Sequence, residues 1–164
     1  MRVPLIDLVA QYQSLKPEID EAVARVLAKG QYVTGEEVEK FEQEWAAYCG
    51  TKYCIAVSSG TDALYLTFRA LEQRNIPRRV AVPVRTFIAT AEAALRANWT
   101  VFLEDYTQQA KWVRNHVVVN LYGEPLPIIH TDGIVVEDAA QSHGIKARGL
   151  ASCYSYYPTK NLNA

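Results

Sequence analysis

Apolar residues in the first third of the chain recur at the three- and four-residue spacing of amphipathic helices. The pattern predicts one helix that begins at Ser14 and ends at Gly30, and a second that begins at Thr34 and ends at Gly50. The Thr34 hydroxyl and the Glu37 carboxylate have the spacing of a capping box. Neither helix carries residues with an evident chemical role. Their apolar faces consist of Leu15, Ile19, Val23, Val26 and Leu27, and of Val38, Phe41, Trp45 and Tyr48.

Beyond Tyr53 the pattern changes to short, uninterrupted apolar runs. These runs lie at residues 54–57, 80–84, 101–103, 117–121, 134–136 and 153–157. Several are rich in β-branched residues, which is typical of strands buried on both faces of a parallel sheet. Helical patterns follow the first two runs, at 62–74 and 89–97. The sequence therefore predicts an α/β fold, a mostly parallel sheet with flanking helices.

Two later connections are short for links between parallel strands. They read YTQQAKWVRN after Asp105 and YGEPLPIIHTDG after Leu121. A parallel crossover needs about a dozen residues and usually contains a helix. Either the sheet is poorly covered on one face or its strand order is altered, and the pattern leaves both open.

Composition narrows the class of protein. With 164 residues, 49% of them hydrophobic, and a formal net charge of −1, the chain fits a soluble globular domain, and nothing favours nucleic acid or an anionic membrane as a partner. No segment has the form of a signal peptide or a membrane span, so we expect a cytoplasmic protein. Cys49, Cys54 and Cys153 lack the spacing of zinc ligands, so we expect small buried hydrophobic residues and no metal site.

The segment SSGTDAL, residues 58–64, predicts a binding site for an anion. A buried strand would pass through Gly60 into a helix that starts at Thr61 or Asp62, where free backbone amides and the positive end of the helix dipole suit a phosphate. The alternative is an ordinary turn in which Thr61 or Asp62 caps the helix.

The segment VVEDAAQSHG places Asp138 directly after a predicted strand, at the edge of the sheet where α/β proteins bind ligands. A carboxylate there can pair with a protonated ring nitrogen and keep a pyridine ring charged. Gln141 could meet a second polar group of the same ring. In the alternative interpretation Asp138 caps a helix, Gln141 lies on the surface and His143 lies in a turn.

The segment SYYPTK places Lys160 shortly after Ser155, with Pro158 stiffening the link. The serine hydroxyl could face a phosphate, and a lysine amine can form a Schiff base with an aldehyde. The alternative is an exposed lysine on a terminal tail. Phe87 follows another predicted strand, where it could stack on a planar ring or fill the gap between sheet and helix.

Four segments in this order, SSGTDAL, TFIATAEA, VEDAAQSHG and SYYPTKN, closely resemble the DegT/DnrJ/EryC1/StrS family of pyridoxal-phosphate enzymes. Most members of that family are aminotransferases acting on nucleotide-linked keto-sugars. The likeness begins at PLIDL, residues 4–8, and reaches the last residues. It therefore spans nearly the whole chain.

The resemblance implies a role for each candidate residue. Lys160 would hold pyridoxal 5′-phosphate as a Schiff base and act as the general base. Asp138 would pair with the pyridine nitrogen, and Gln141 would lie close to the ring hydroxyl. Phe87 would stack on the ring. The groups that hold the phosphate would come from Gly60, Thr61, Asp62 and Ser155.

The resemblance also implies a domain organisation. Residues 1–164 would form a single unit like the large cofactor-binding domain of fold-type I aminotransferases, with N-terminal helices at 14–50 and an α/β core at 53–164. Family members are about twice as long, so we expect this chain to lack the rest of the large domain and the small C-terminal domain. Asn163 also stands where the family usually has glycine.

The function that the resemblance implies is an aminotransferase acting on a keto-sugar nucleotide, with glutamate or glutamine as amino donor. A lysine at position 160, where a dehydrating branch of the family has histidine, indicates the transaminating branch. Three hypotheses stay open: an active homo-oligomer, a split enzyme completed by a second chain, and a non-catalytic protein that binds or assembles with a partner.

Overall fold

Two units, Met1–Ala56 and Val57–Ala164, divide the chain, and the computed structural model describes residues 6–105, 112–127 and 131–162. The first unit contains helices α1, Leu8–Lys29, and α2, Glu36–Cys49. The ends predicted at Gly30 and Gly50 are confirmed, because both glycines adopt the left-handed conformation that closes a helix.

The predicted starts of both helices are wrong. Helix α1 begins before Ser14, because the Asp7 side chain accepts a hydrogen bond from the Ala10 backbone amide at 2.9 Å and caps the helix there. The capping box predicted at Thr34 does not form. The Thr34 hydroxyl donates to the Val33 carbonyl instead, and Gly35 is the N-cap of α2.

The second unit contains a five-stranded sheet in which every pairing is parallel. Its order is β2-β1-β3-β4-β5, so the predicted α/β class is confirmed. The strands are β1, Arg79–Pro83; β2, Thr100–Glu104; β3, Asn115–Val119; β4, Val135–Asp138; and β5, Ala151–Cys153. Helices α3, Gly60–Leu71, and α4, Ile88–Arg96, belong to the same unit.

Two predicted strands differ from the structure. The run at 54–57 forms no strand, since the Ala56 amide donates to the Glu42 carboxylate at 2.7 Å and Ile55 is 79% exposed. Strand β5 ends at Cys153 instead of Tyr157, because its register with β4 ends where Asp138 pairs with Cys153. The segment that leads to the lysine therefore leaves the sheet early.

The two short links between strands are described to different extents. Of the link between β3 and β4, the described part contains a short 3-10 helix, Leu121–Gly123, and no α-helix. The link between β2 and β3 lies largely outside the described residues. All five strands belong to one sheet. Among the described residues, the two short links therefore carry little helical structure between parallel strands.

Helices α3 and α4 pack on one face of the sheet around a common core. Phe68 of α3 contacts Trp99 with ring centroids 5.2 Å apart, and the Trp99 indole donates to the Phe68 carbonyl at 3.2 Å. The Thr67 hydroxyl lies 3.5 Å from the Cys153 sulfur, which places α3 beside β5. The other buried members of this core include Leu64, Val80, Val82, Ala93, Val117, Val119 and Val136. This packing brings the N-terminus of α3 to the carboxyl edge of the sheet.

Two of the three cysteines, Cys49 and Cys153, are buried as expected. Cys54 is half-buried, and all three are free thiols. Burial raises the pKa of the Cys153 thiol to about 12. Among the described residues no helix is long and apolar enough to cross a membrane, and no cluster of side chains has the composition of a metal site.

Candidate functional site

Asp138 ends strand β4 at the carboxyl edge of the sheet and is 7% exposed. Its Oδ2 accepts a hydrogen bond from the Thr90 hydroxyl at 2.6 Å, and its Oδ1 accepts one from the Ala140 amide at 3.2 Å. No helix follows Asp138 in the described chain, so the capping alternative is excluded. The carboxylate is therefore held by a second element, helix α4.

Thr90 is a further candidate site residue, which the sequence pattern does not indicate. It is fully buried in α4, and its oxygen lies 2.7 Å from the hydroxyl of Thr86. Since Thr90 donates to Asp138, it accepts from Thr86, and the two hydroxyls form a short chain that ends on the carboxylate. The available signal was a threonine on the buried face of a predicted helix.

Gln141 lies in the turn after β4. Its Oε1 accepts a hydrogen bond from the Tyr122 backbone amide at 2.8 Å. Tyr122 has a φ of 57°, a left-handed conformation that is uncommon for a bulky residue. Within the described chain the Gln141 amide nitrogen has no protein partner, so it remains a donor for a ligand.

Glu137 precedes Asp138 and is buried on the opposite face of the sheet, at 1% exposure. Its carboxylate accepts hydrogen bonds from the Arg148 and Gly149 amides at 2.6 and 2.7 Å and from the Ser152 hydroxyl at 2.9 Å, and Arg148 also forms an ion pair with it at 3.1 Å. Burial alone would raise the pKa of Glu137, but these hydrogen bonds outweigh burial and lower it. Asn120 donates to the same carboxylate at 3.2 Å.

The helix N-terminus predicted at residues 58–64 is present, but its cap is Ser59. The helix begins at Gly60, one residue before the predicted start, and the alternative in which Thr61 or Asp62 caps it is wrong as to the residue, because Ser59 Oγ accepts from the Asp62 amide at 3.1 Å. The hydroxyls of Ser58 and Ser59 donate to the Asp62 carboxylate and lower its pKa. The Asp62 amide is thus already bonded, and Gly60 and Thr61 supply the open amides.

Gly60 and Ser155 lie against each other. A Cβ at Gly60 would lie 2.8 Å from the Ser155 Cβ, closer than real Cβ atoms approach, and 3.1 Å from the Tyr154 carbonyl oxygen, which is a tight contact. Only glycine fits there without displacing the neighbouring segment. The first amides of α3 and the segment carrying the Ser155 hydroxyl therefore share one small region, as the sequence predicts.

Lys160 is half-buried in a turn in which its backbone amide donates to the Tyr157 carbonyl at 2.8 Å. His143 lies in a turn, as expected, but it also packs against this segment. Its ring centroid is 5.6 Å from that of Tyr154 and 5.3 Å from that of Tyr156. Burial and the nearby Lys160 charge lower the pKa of His143, although contacts with the Ser155 backbone and the Asn161 side chain act in the opposite direction.

Phe87 immediately precedes helix α4 and is 70% exposed. It therefore does not fill the gap between sheet and helix, and that alternative is excluded. An exposed aromatic ring at this edge stays available for stacking on a planar ligand.

The arrangement combines a buried carboxylate, an amide donor, a helix N-terminus and a lysine on adjacent loops. Carboxylate and amide suit the polar edge of a heteroaromatic ring, and the helix N-terminus suits a phosphate. Such a set can hold a phosphorylated ring compound beside an amine nucleophile.

Comparison with known proteins identifies a family for this chain. The model of the DegT/DnrJ/EryC1/StrS aminotransferase family matches residues 13–164. A dTDP-3-amino-3,4,6-trideoxy-alpha-D-glucose transaminase of Streptomyces venezuelae is 38% identical over 188 residues, which is 98% of this chain and 49% of the relative. A UDP-2-acetamido-2-deoxy-3-oxo-D-glucuronate aminotransferase of Pseudomonas aeruginosa is 33% identical, covering 98% of this chain and 52% of the relative.

Solved structures agree with this comparison. S. venezuelae DesV, in complex with a ketimine intermediate, superposes with a TM-score of 0.78 at 34% identity, covering 99% of this chain and 51% of that one. An aminotransferase from Brucella abortus superposes with a TM-score of 0.83 at 27% identity, covering 97% and 52%. The chain spans about half the length of the relatives it matches. On its sequence and its fold, the chain belongs to the DegT/DnrJ/EryC1/StrS aminotransferase family.

Proposed function

We propose that this chain forms the cofactor-binding part of a pyridoxal-phosphate-dependent aminotransferase, which transfers an amino group from glutamate or glutamine to a nucleotide-linked keto-sugar. The observation that carries the proposal is the convergence of Asp138, the α3 N-terminus at Gly60 and the Lys160 segment at one edge of the sheet. The substrate class rests on the relatives, whose names include transaminases of dTDP- and UDP-linked sugars.

The family and its solved members point to pyridoxal phosphate as the cofactor. The residues of this chain fit that group. Gly60 packs against Ser155, which brings the open amides at the α3 N-terminus close to the segment that carries the Ser155 hydroxyl, and these groups can bind a phosphate. Phe87 is exposed at the same edge and can cover one face of a ring.

When bound, pyridoxal phosphate supplies an aldehyde carbon that bonds to amines and a ring that accepts electrons from the carbon being deprotonated. Asp138 is proposed to pair with the ring nitrogen and keep it protonated. The Thr90 hydroxyl holds Asp138 Oδ2 in place for that task. The Gln141 amide nitrogen would donate to the ring oxygen, because the Tyr122 amide holds Gln141 Oε1 on the other side.

Lys160 is proposed as the residue that attaches the cofactor and moves protons. Its Nζ is the nucleophile that would bond to the aldehyde carbon. The same Nζ, as a free amine, would be the general base that accepts a proton from the amino donor and the general acid that delivers one to the sugar carbon. Because the cofactor bond and the proton transfers use the same atom, Lys160 is the residue to test.

The test begins with absorbance. The chain is mixed with pyridoxal phosphate, the visible imine band is recorded, the adduct is reduced with borohydride, and the modified peptide is identified by mass. We expect the label on Lys160 and its loss in K160R. The exposed Lys146 is a matched control, since K146R should retain the label on Lys160.

The outcomes separate the competing functions. Absence of a Lys160 adduct in the wild-type chain would refute the enzyme proposal. An adduct whose band persists after glutamate, glutamine and candidate keto-sugars are added would favour a non-catalytic binding or assembly role. Turnover that begins only when a second polypeptide is added would identify a split enzyme, and light scattering distinguishes that from a homo-oligomer.

A further inference from the structure

Tyr122 lies in a strained turn that contacts the candidate cofactor residue Gln141. Its φ of 57° is a left-handed conformation that a bulky residue disfavours, and its side chain is 78% exposed, so burial of the ring does not hold it there. The Tyr122 amide donates to Gln141 Oε1 at 2.8 Å. Gly123 lies beside the Gln141 backbone, since a Cβ at Gly123 would be 3.4 Å from the Gln141 carbonyl oxygen. The turn therefore meets Gln141 at two points.

Asn120 closes the loop that contains this turn. Its side-chain oxygen Oδ1 accepts a hydrogen bond from the Leu126 amide at 3.2 Å, which joins the two ends of the loop. The Asn120 amide donates to the Asp138 carbonyl at 3.1 Å, so the loop starts directly beside the end of β4. Asn120 is 1% exposed. Opening the loop would therefore leave a buried amide oxygen with fewer partners, and water is not there to replace them.

The far end of the loop is held a second time. Leu126 lies between two prolines, which have no amide hydrogen, so its amide is the one backbone donor in that stretch. The Arg148 guanidinium donates to the Leu126 carbonyl at 2.8 Å and to Asn120 Oδ1 at 3.0 Å. Arg148 is in turn fixed by its ion pair with Glu137 at 3.1 Å. Both ends of the loop are thus bonded to the same buried group of side chains.

Strand β4 connects this anchor to the candidate site. The Asn120 side-chain nitrogen donates to Glu137 Oε2 at 3.2 Å, and Glu137 directly precedes Asp138 in β4. Gln141 lies in the turn that follows the same strand. The loop therefore leaves the end of β3 at Asn120, touches Gln141 through Tyr122, and returns to Asn120, so a shift at its closure is carried to Gln141.

We propose that Asn120 is a positioning residue, whose side chain closes the 120–126 loop, holds the Tyr122 amide against Gln141 Oε1, and so directs the Gln141 amide nitrogen to the ring oxygen of pyridoxal phosphate. The inference rests on the proposed function for the identity of the ligand, but the closed loop and its bond to Gln141 are properties of the chain alone. A glutamine side chain can present its oxygen or its nitrogen, and only the nitrogen donates a hydrogen bond. The Tyr122 amide selects the nitrogen, because it occupies the oxygen.

The first experiment uses the chain without cofactor. Hydrogen exchange at the Tyr122 amide, followed by NMR, reports how often its bond to Gln141 opens. We expect the amide to be protected in the wild type and to exchange about tenfold faster in N120A and in Q141A, as loss of one hydrogen bond allows. F68L is the matched control, because Phe68 is buried in the core beside Trp99 and has no described contact with the loop. F68L should lower overall stability and leave Tyr122 protected.

The second experiment tests what the positioning is for. N120A should bind pyridoxal phosphate about two- to tenfold more weakly than the wild type, the change that loss of one hydrogen bond brings. The double variant N120A/Q141A should bind it no more weakly than Q141A, because Asn120 acts only through Gln141. A deoxy analogue that lacks the ring hydroxyl should bind equally to N120A and the wild type. A general loosening of the fold would weaken both ligands alike.

The outcomes separate this proposal from the proposed function. Wild-type exchange at Tyr122 in N120A would overturn the proposal, and so would equal losses of pyridoxal phosphate and its deoxy analogue. Faster Tyr122 exchange in N120A, in a chain whose wild type forms no Lys160 adduct, would support the placement of Gln141 by Asn120 and refute the proposed function instead. If N120A does not fold, L126P decides, since it removes the amide that Asn120 accepts from: wild-type exchange at Tyr122 in L126P would overturn the proposal.

Discussion

Replacing Thr90 by valine should weaken the site without removing any residue proposed to contact the cofactor. Thr90 is fully buried, and its hydroxyl donates to Asp138 Oδ2 at 2.6 Å. Valine has nearly the same shape but lacks the hydroxyl, so the carboxylate loses one of its two described partners. The Thr86 hydroxyl, 2.7 Å from Thr90, loses its acceptor as well.

The magnitude follows from the burial of both groups. A hydrogen bond to a charged group contributes about 1.5–3 kcal/mol, and the solvent that would compensate its loss is excluded here. The free energy of unfolding should therefore fall by about that amount in T90V, as measured by urea denaturation. Because the bond also fixes the direction of the carboxylate, pyridoxal phosphate should bind about 10- to 150-fold more weakly if the whole effect is transmitted.

T90S is the matched control. Serine keeps the hydroxyl and loses one methyl group, which costs about 1 kcal/mol of packing but leaves the bond to Asp138 possible. Cofactor affinity should be nearly normal in T90S and low in T90V, although both are less stable than the wild type. Equal affinities in T90V, T90S and the wild type would refute the reasoning, because they would mean that Asp138 does not need Thr90.

Two further substitutions, one pH dependence and one alkylation experiment test other contacts. G60A places a methyl group 2.8 Å from the Ser155 Cβ, so it should weaken pyridoxal phosphate by at least about tenfold but pyridoxal much less, in parallel titrations; equal losses would argue against a phosphate at Gly60. E137Q should lower the free energy of unfolding by about 3–5 kcal/mol, because buried donors including the Arg148 amide lose a charged acceptor. The Glu137 carboxyl has a lowered pKa, so its contribution to the free energy of unfolding should be complete above pH 4.5, the ordinary pKa of glutamate, and should be lost as the pH falls further. E137Q should make the free energy of unfolding depend less on pH in that range; an unchanged dependence would contradict this role of Glu137. Cys153, with its raised pKa, should resist alkylation at pH 8 until the chain unfolds, as measured by intact mass; rapid labelling of the folded chain would contradict its burial.

The sheet could be predicted because its strands are continuous apolar runs. The core contains Val80, Val82, Val117 and Val136. A strand is the local structure that best buries β-branched runs of this length. The run at 54–57 has the same texture but is not a strand, since a strand also needs a neighbour, and its Ala56 amide binds Glu42. The residue pattern of one strand does not show which other strand it pairs with.

The sequence indicates candidate site residues where one residue type in a short motif favours one chemistry. Lys160, Asp138 and Gly60 carry such signals in their short motifs. Thr90 carries none, because its partner Asp138 is distant in sequence and a buried threonine in a helix resembles any small core residue. The packing of His143 was hidden for the same reason, since its contacts with Tyr154 and Tyr156 arise only when two loops meet.

Strand β4 separates two acidic neighbours by the alternation of side chains along a strand. Asp138 lies on the face that carries α4 and Thr90, whereas Glu137 lies on the other face with Arg148. The two carboxylates therefore lie in different surroundings, and each binds its own partners on its own face of the sheet. A slip of one residue in the pairing of β4 would exchange the two side chains, placing the longer glutamate at the proposed cofactor site and leaving Arg148 without its acceptor. The hydrogen bonds of Glu137 thus help to fix the register of β4, and with it the face on which Asp138 lies.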